Sequence, residues 1–150
     1  MRAILIDPER RAIEEIDLPS ASYEHIKAVL GGPVDTATWL NQAWDGSYDA
    51  VYVLDNFDHL TEPPRFWFQI DTEGPDRDDP PMSFPIGGKG LILRVDERGR
   101  DCAAAISVEA LTKRVRFTKR VFRGFRPVRP KEEGSTFSLI APVVDGWNET

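Results

Sequence analysis

The densest set of chemistry-bearing residues lies at 113–131, KRVRFTKRVFRGFRPVRPK. It holds Lys113, Arg114, Arg116, Lys119, Arg120, Arg123, Arg126, Arg129 and Lys131, nine cations without an acid. Guanidinium groups grip phosphates and carboxylates through a planar fork. Phe122 and Phe125 are interleaved with them. Arginines with interposed rings suit nucleic acid, where the cations meet phosphates and the rings stack on bases. The competing reading is electrostatic balance. Residues 1–112 hold 10 cations and 21 acids, a charge of −11, and residues 132–150 hold four acids and no cation. A basic face can cancel acids on its own domain or on a second copy. That reading ranks ahead of nucleic acid and of a separate acidic protein. The expected contact set is Arg114, Arg116, Lys119, Arg120, Arg123 and Arg126, with Trp67 and Phe125 as anchors for a partner.

Asp55, Asp58, His59 and Glu62 are the densest group of metal-ligand types. Carboxylates and imidazole bind hard and borderline cations readily. Their spacing matches no metal-binding loop, and acidic loops commonly close a strand, so neither a metal nor a cofactor is expected. A metal-dependent enzyme at Asp55, Asp58 and His59 is the third-ranked reading. His25 sits beside Glu24 in a helical stretch and reads as a helix-surface residue. Cys102 is the single cysteine and precedes three alanines, so it reads as a small buried hydrophobe. A nucleophile would need one of the histidines beside a Ser or Cys in space, and no Gly-x-Ser-x-Gly elbow occurs. Gly87-Gly88-Lys89-Gly90 lacks the phosphate-loop spacing and leads into a strand, so its glycines serve a turn. Of Trp39, Trp44, Trp67 and Trp147, the first two fall on opposite faces of one predicted strand. A partly buried Trp on a sheet face is the more ordinary role for each.

The elements that must position these groups follow from period and punctuation. Residues 2–6 and 12–18 predict a hairpin about Asp7-Pro8. Ser20 or Ser22 caps a helix to about Leu30, which Gly31-Gly32 ends. Residues 34–44 and 48–54 predict a second hairpin about Asp45-Gly46. Residues 65–70 alternate, with Phe66, Phe68 and Ile70 on one face. Residues 71–82 are acidic and proline-rich and predict a solvated loop. A strand at 90–95 follows, then a pairing segment at 102–106 and a Ser107-capped helix to about Arg114. The basic run then predicts a strand with Val115, Phe117 and Val121 on one side and Arg114, Arg116 and Arg120 on the other. It leaves the fold as an Arg-Phe-rich loop after Pro127 and Pro130. The apolar strip 137–144 in the tail 132–150 predicts either an edge strand or a segment docked on the surface. Hairpin signals outnumber βαβ signals, so the expected class is α+β, a mostly antiparallel sheet with about two short helices.

The 150 residues suit one domain, with 41% hydrophobic and 29% charged residues and a net charge of −6. No apolar run reaches the ~20 residues of a membrane-spanning helix. The opening segment lacks the pattern of a signal peptide. A cytoplasmic protein that does not contact membrane is expected.

The opening MRAILIDPERRAIEEIDL resembles the start of a family of small uncharacterised proteins carried by bacteria, their phages and plasmids. Ile86-Gly87-Gly88-Lys89-Gly90-Leu91-Ile92-Leu93 resembles it again, followed by Asp96, Gly99 and a short helix at Val108-Glu109-x-Leu111. The likeness spans roughly the first 110 residues and leaves the basic run outside it. It implies an accessory role in a bacterium or phage and carries no catalytic residue. Together these readings favour a non-enzymatic interaction domain that binds a protein partner or itself, with nucleic-acid binding through 113–131 as the alternative.

Overall fold

The computed structural model describes residues 1–55, 65–71, 85–128 and 139–149, with the backbone alone for 85, 118–128 and 139–149. The chain opens with the expected hairpin, β1 (Arg2–Asp7) and β2 (Ala12–Asp17). Asp7 turns it: its Oδ1 accepts from the amides of Glu9 at 3.1 Å and Arg10 at 3.3 Å. Helix α1 (Tyr23–Leu30) is capped by Ser22, whose hydroxyl accepts from the His25 amide. Gly31 ends it at φ 89°, where its N–H reaches Lys27 O. Ser22 contributes about 1 kcal/mol as a cap, and burial of Ile26 and Leu30 roughly 1.5–3 kcal/mol each.

The remaining elements are β3 (Val34–Leu40), β4 (Tyr48–Leu54), β5 (Phe66–Ile70), β6 (Pro85–Gly87), β7 (Gly90–Val95), β8 (Asp101–Cys102), α2 (Val108–Thr112), β9 (Val115–Val128) and β10 (Leu139–Glu149). They form two antiparallel sheets. The first runs β2-β1-β7-β4-β3, with β8 beside β7. The second runs β10-β9-β5-β6. The α+β class and the mostly antiparallel pairing are therefore as the sequence implies. Among the described residues no helix is long and apolar enough to cross a membrane.

The first sheet is covered on both faces. Ala3, Leu91 and Leu93 pack with Ile26 and Leu30 of α1. Ile4, Ile6, Val51, Val53 and Ile92 pack on the other side with Phe68, Ile70 and Ile86 of the second sheet. Burial on both faces explains why β1, β4 and β7 are near-continuous apolar runs rather than alternating ones. Gly90 marks a close approach of the sheets. A Cβ there would lie 2.7 Å from Phe68 Cζ, so the missing side chain is the seat of the Phe68 ring.

Four expected boundaries move. The strand placed at 34–44 ends at Leu40, because Asn41 takes φ 53° and the chain enters a loop closed by Ala43 N–H to Ser47 O. The pairing segment at 102–106 shrinks to β8. The Ala104 amide instead donates to Arg2 O, and the Arg2 guanidinium binds the carbonyls of Ala104 and Ile106. The second helix stops at Thr112, short of Arg114. The strand of the basic run, expected to give way to loop after Pro127, is β9 and runs through Gly124 and Pro127 to Val128, held by pairing with β10. The apolar strip is that edge strand, extended to Glu149. Pro142 suits β10, the edge strand of the second sheet among the described residues. The loop expected at 71–82 lies outside the described residues beyond Asp71.

Candidate functional site

The structure divides the basic run in two. Arg114, placed in the sequence among the partner contacts, is half-buried and turned into the fold. Its Nη1 donates to Asn41 Oδ1 at 2.8 Å and its Nε to the Asp71 carbonyl at 3.0 Å. The Asp71 amide returns a bond to Arg114 O at 2.9 Å. Arg114 thus ties the β3–β4 loop of the first sheet to the end of β5 in the second. The bond to Asp71 is half-buried and that to Asn41 exposed, so the two together contribute about 1–3 kcal/mol.

The bond to Asn41 leads into a polar group with no motif in the sequence. Asp49 is 1% exposed. Its Oδ2 accepts from Asn41 Nδ2 at 2.8 Å, and its Oδ1 lies 3.4 Å from Arg94 Nη1. No hydrogen bond reaches Oδ1 among the described residues. Asp49 and Arg94 are paired across β4 and β7. Arg94 Nη2 also donates to Ser47 Oγ at 2.7 Å. The Ser47 hydroxyl and amide hold the Asp45 carboxyl below the usual carboxylate range. A carboxylate this enclosed admits no substrate. It is a structural anchor, and its desolvation is offset by the arginine beside it. Alternation along 48–54 could have flagged Asp49 as an acid on a buried face.

From Val115 onward the run is a strand. Val115 and Phe117 pack against the central core, while Arg116 between them is exposed. That much of the alternation holds. Arg116 stands opposite Gln69 on β5, on the outward face with the half-buried Trp67. Strand β5 pairs with β9 only over 115–119, and β10 pairs with it over 118–128. Beyond Lys119 the two strands therefore form a two-stranded ribbon among the described residues. Nine residues of strand span about 30 Å. The register slips twice, between Phe122 and Phe125 at Arg123-Gly124 and between Lys119 and Val121 opposite the β10 segment Asp145–Asn148, as β-bulges do. The ribbon's β9 carries Arg120, Arg123 and Arg126, preceded by Arg116 and Lys119, while β10 brings Asp145 opposite Val121 and Glu149 opposite Thr118. The side chains of Lys119, Arg120, Arg123, Arg126, Phe125 and Trp147 lie outside the described residues, as do Arg129 and Lys131 altogether.

Asp58, His59 and Glu62 also lie outside the described residues. Asp55 is half-buried, and its amide donates to Pro33 O at 2.8 Å. Among the described residues no three His, Cys, Asp or Glu are grouped to hold a metal ion. Cys102 is half-buried rather than buried, and its thiol donates to Arg94 O at 3.3 Å. Burial, then the charge of Asp96, pushes that thiol up, away from the thiolate a nucleophile needs. His25 Nδ1 lies 2.7 Å from Ser20 Oγ, a pairing the sequence reading did not foresee. Ser20 Oγ also accepts from the Ser22 amide, so the pair completes the helix cap. Gly88 takes φ 82°, as a turn requires, and its amide reaches Phe66 O. The glycine-rich segment is the corner at which the chain passes from the second sheet to the first.

The tryptophans separate as well. Trp39 is on β3 with its ring 6.0 Å from that of Tyr48. Trp44 is not on that strand. It lies at the loop tip and is 99% exposed. No family model matches the chain, and neither a curated protein nor a solved structure matches it.

Proposed function

We propose that this chain is a non-enzymatic interaction domain that grips an acidic protein surface, foremost a second copy of itself, along the β9–β10 ribbon. The observation that carries the reading is the span 120–128, where β9 pairs with β10 alone among the described residues and carries three arginines. The two acids of β10 offset only part of the five cations on β9. The −11 over residues 1–112 supplies a complementary surface on another copy. The engagement of Cys102 and His25 in local bonds supports a role without catalysis. The likeness of residues 1–18 and 86–93 to bacterial, phage and plasmid-borne proteins supports an accessory role inside a bacterial cell.

Sedimentation equilibrium across a salt series tests the reading. The wild-type mass should exceed that of a monomer at low salt and fall toward it as charges are screened. The triple variant Arg120→Glu, Arg123→Glu, Arg126→Glu should be monomeric throughout. A monomeric wild type at every salt concentration, with nothing captured from a bacterial lysate, rejects it.

One observation favours nucleic acid as a second reading. A two-stranded ribbon is one of the two backbone forms that enter a major groove. Binding to duplex or single-stranded DNA or RNA that falls steeply with salt, and is lost in the same triple variant, would support it over the protein reading.

A further inference from the structure

A cleft of about 260 Å³ opens between the β1–β2 turn and the corner joining the sheets, where Phe66 stands opposite Lys119 at the base of the ribbon. One wall is Asp7, Pro8 and Glu9; the other is Arg65, Phe66, Gly88 and Lys89. The walls carry opposite charge, and no ion pair joins them among the described residues. Asp7 is 4% exposed and held by the turn amides, so its negative charge is fixed in place. Glu9 and Arg65 are exposed and Lys89 half-buried. Pro8 and Phe66 supply apolar surface between the charges.

We infer that this cleft is a binding site for a small zwitterion with an apolar body, of amino-acid to dipeptide size. The charge pattern decides the class. A simple anion would be drawn to Arg65 and Lys89 but repelled by Asp7 and Glu9. A simple cation meets the reverse. A molecule with both groups satisfies both walls, with its ammonium toward the turn and its carboxylate toward Arg65 and Lys89. The volume sets the size, since it falls below the roughly 300–1,000 Å³ of sites for drug-sized ligands.

Calorimetric titration of the full chain tests this with four probes: phenylalanine, the dipeptide Ala-Phe, phenylpropionate and phenethylamine. The last two each lack one of the charges. At least one zwitterion should bind, about tenfold or more tighter than either single-charge analogue. Which of the two binds tighter distinguishes a free amino acid from a peptide end. Lys89→Gln and Glu9→Gln should each weaken the zwitterion about tenfold, with urea midpoints showing that both variants remain folded. Binding of phenylpropionate or phenethylamine as tight as that of the zwitterions, unchanged affinity in both variants, or no binding of either zwitterion overturns the inference. The ribbon variant Arg120→Glu, Arg123→Glu, Arg126→Glu should retain the site, so the cleft and the ribbon stand or fall separately.

Discussion

At the foot of the second sheet, Arg114 reaches from just before β9 to Asn41 in the β3–β4 loop of the first sheet and to Asp71 at the end of β5. Two residues on, Arg116 belongs to the same run of like charge and faces outward opposite Gln69. The first cation joins layers; the second is left for solvent or a partner. The same division separates the doubly covered first sheet from the ribbon at 120–128. Charge counting treats a basic run as one object. Strand geometry assigns its members one by one, by which layer each can reach.

The division can be broken from its buried side first. Asp49→Ala should cost about 3–5 kcal/mol, because it leaves Arg94 beside an emptied site in the interior. Chemical denaturation measures it. A loss under 1 kcal/mol, on the order of an ordinary surface change, would show that the polar group does not anchor the layers. Gly90→Ala should cost about 1–3 kcal/mol, since its new methyl meets the Phe68 ring and the packed sheets resist moving apart.

A pH series sharpens the picture at the far end of β7. Tyr52 donates to Asp101 Oδ1. Burial first, then this bond and the aspartate's charge, raise the Tyr52 pKa above its ordinary value. The native state therefore keeps a proton that the unfolded chain releases above about pH 10. Stability from this bond is complete below that pH and lost as pH rises toward the folded pKa. Tyr52→Phe should lower stability by about 1 kcal/mol at pH 8 and flatten the alkaline decline. Equal slopes for both proteins between pH 9.5 and about 11 would refute the coupling. The smallest change is expected at Trp44→Ala. Its ring is 99% exposed, so stability should stay within about 0.5 kcal/mol.

Much of the frame was legible in the residues. Asp7-Pro8, Ser22, Gly31 and Asp45-Gly46 each carry their own turn or cap chemistry, and each acts where the pattern puts it. Val115 and Phe117 bury and Arg116 does not, as alternation requires. What stayed hidden depends on distance along the chain. Arg114 bonds a residue 73 positions away, and local alternation placed it on the outward face with Arg116. Asp49 and Arg94 form no motif because two strands of different hairpins bring them together. The end of β9 was hidden because Pro127 reads as a breaker. Pairing with Ile140 of β10 carries the strand past it. The cleft was hidden for the same reason: its walls come from residues 7–9, 65–66 and 88–89.

The division of the basic run is tested most directly by urea unfolding of Arg114→Ala and Arg116→Ala side by side. Loss of the two bonds to Asn41 and Asp71 should destabilise the first by about 1–3 kcal/mol, while the second stays within about 0.5 kcal/mol of wild type. Equal losses, or a larger loss at Arg116, would contradict the account.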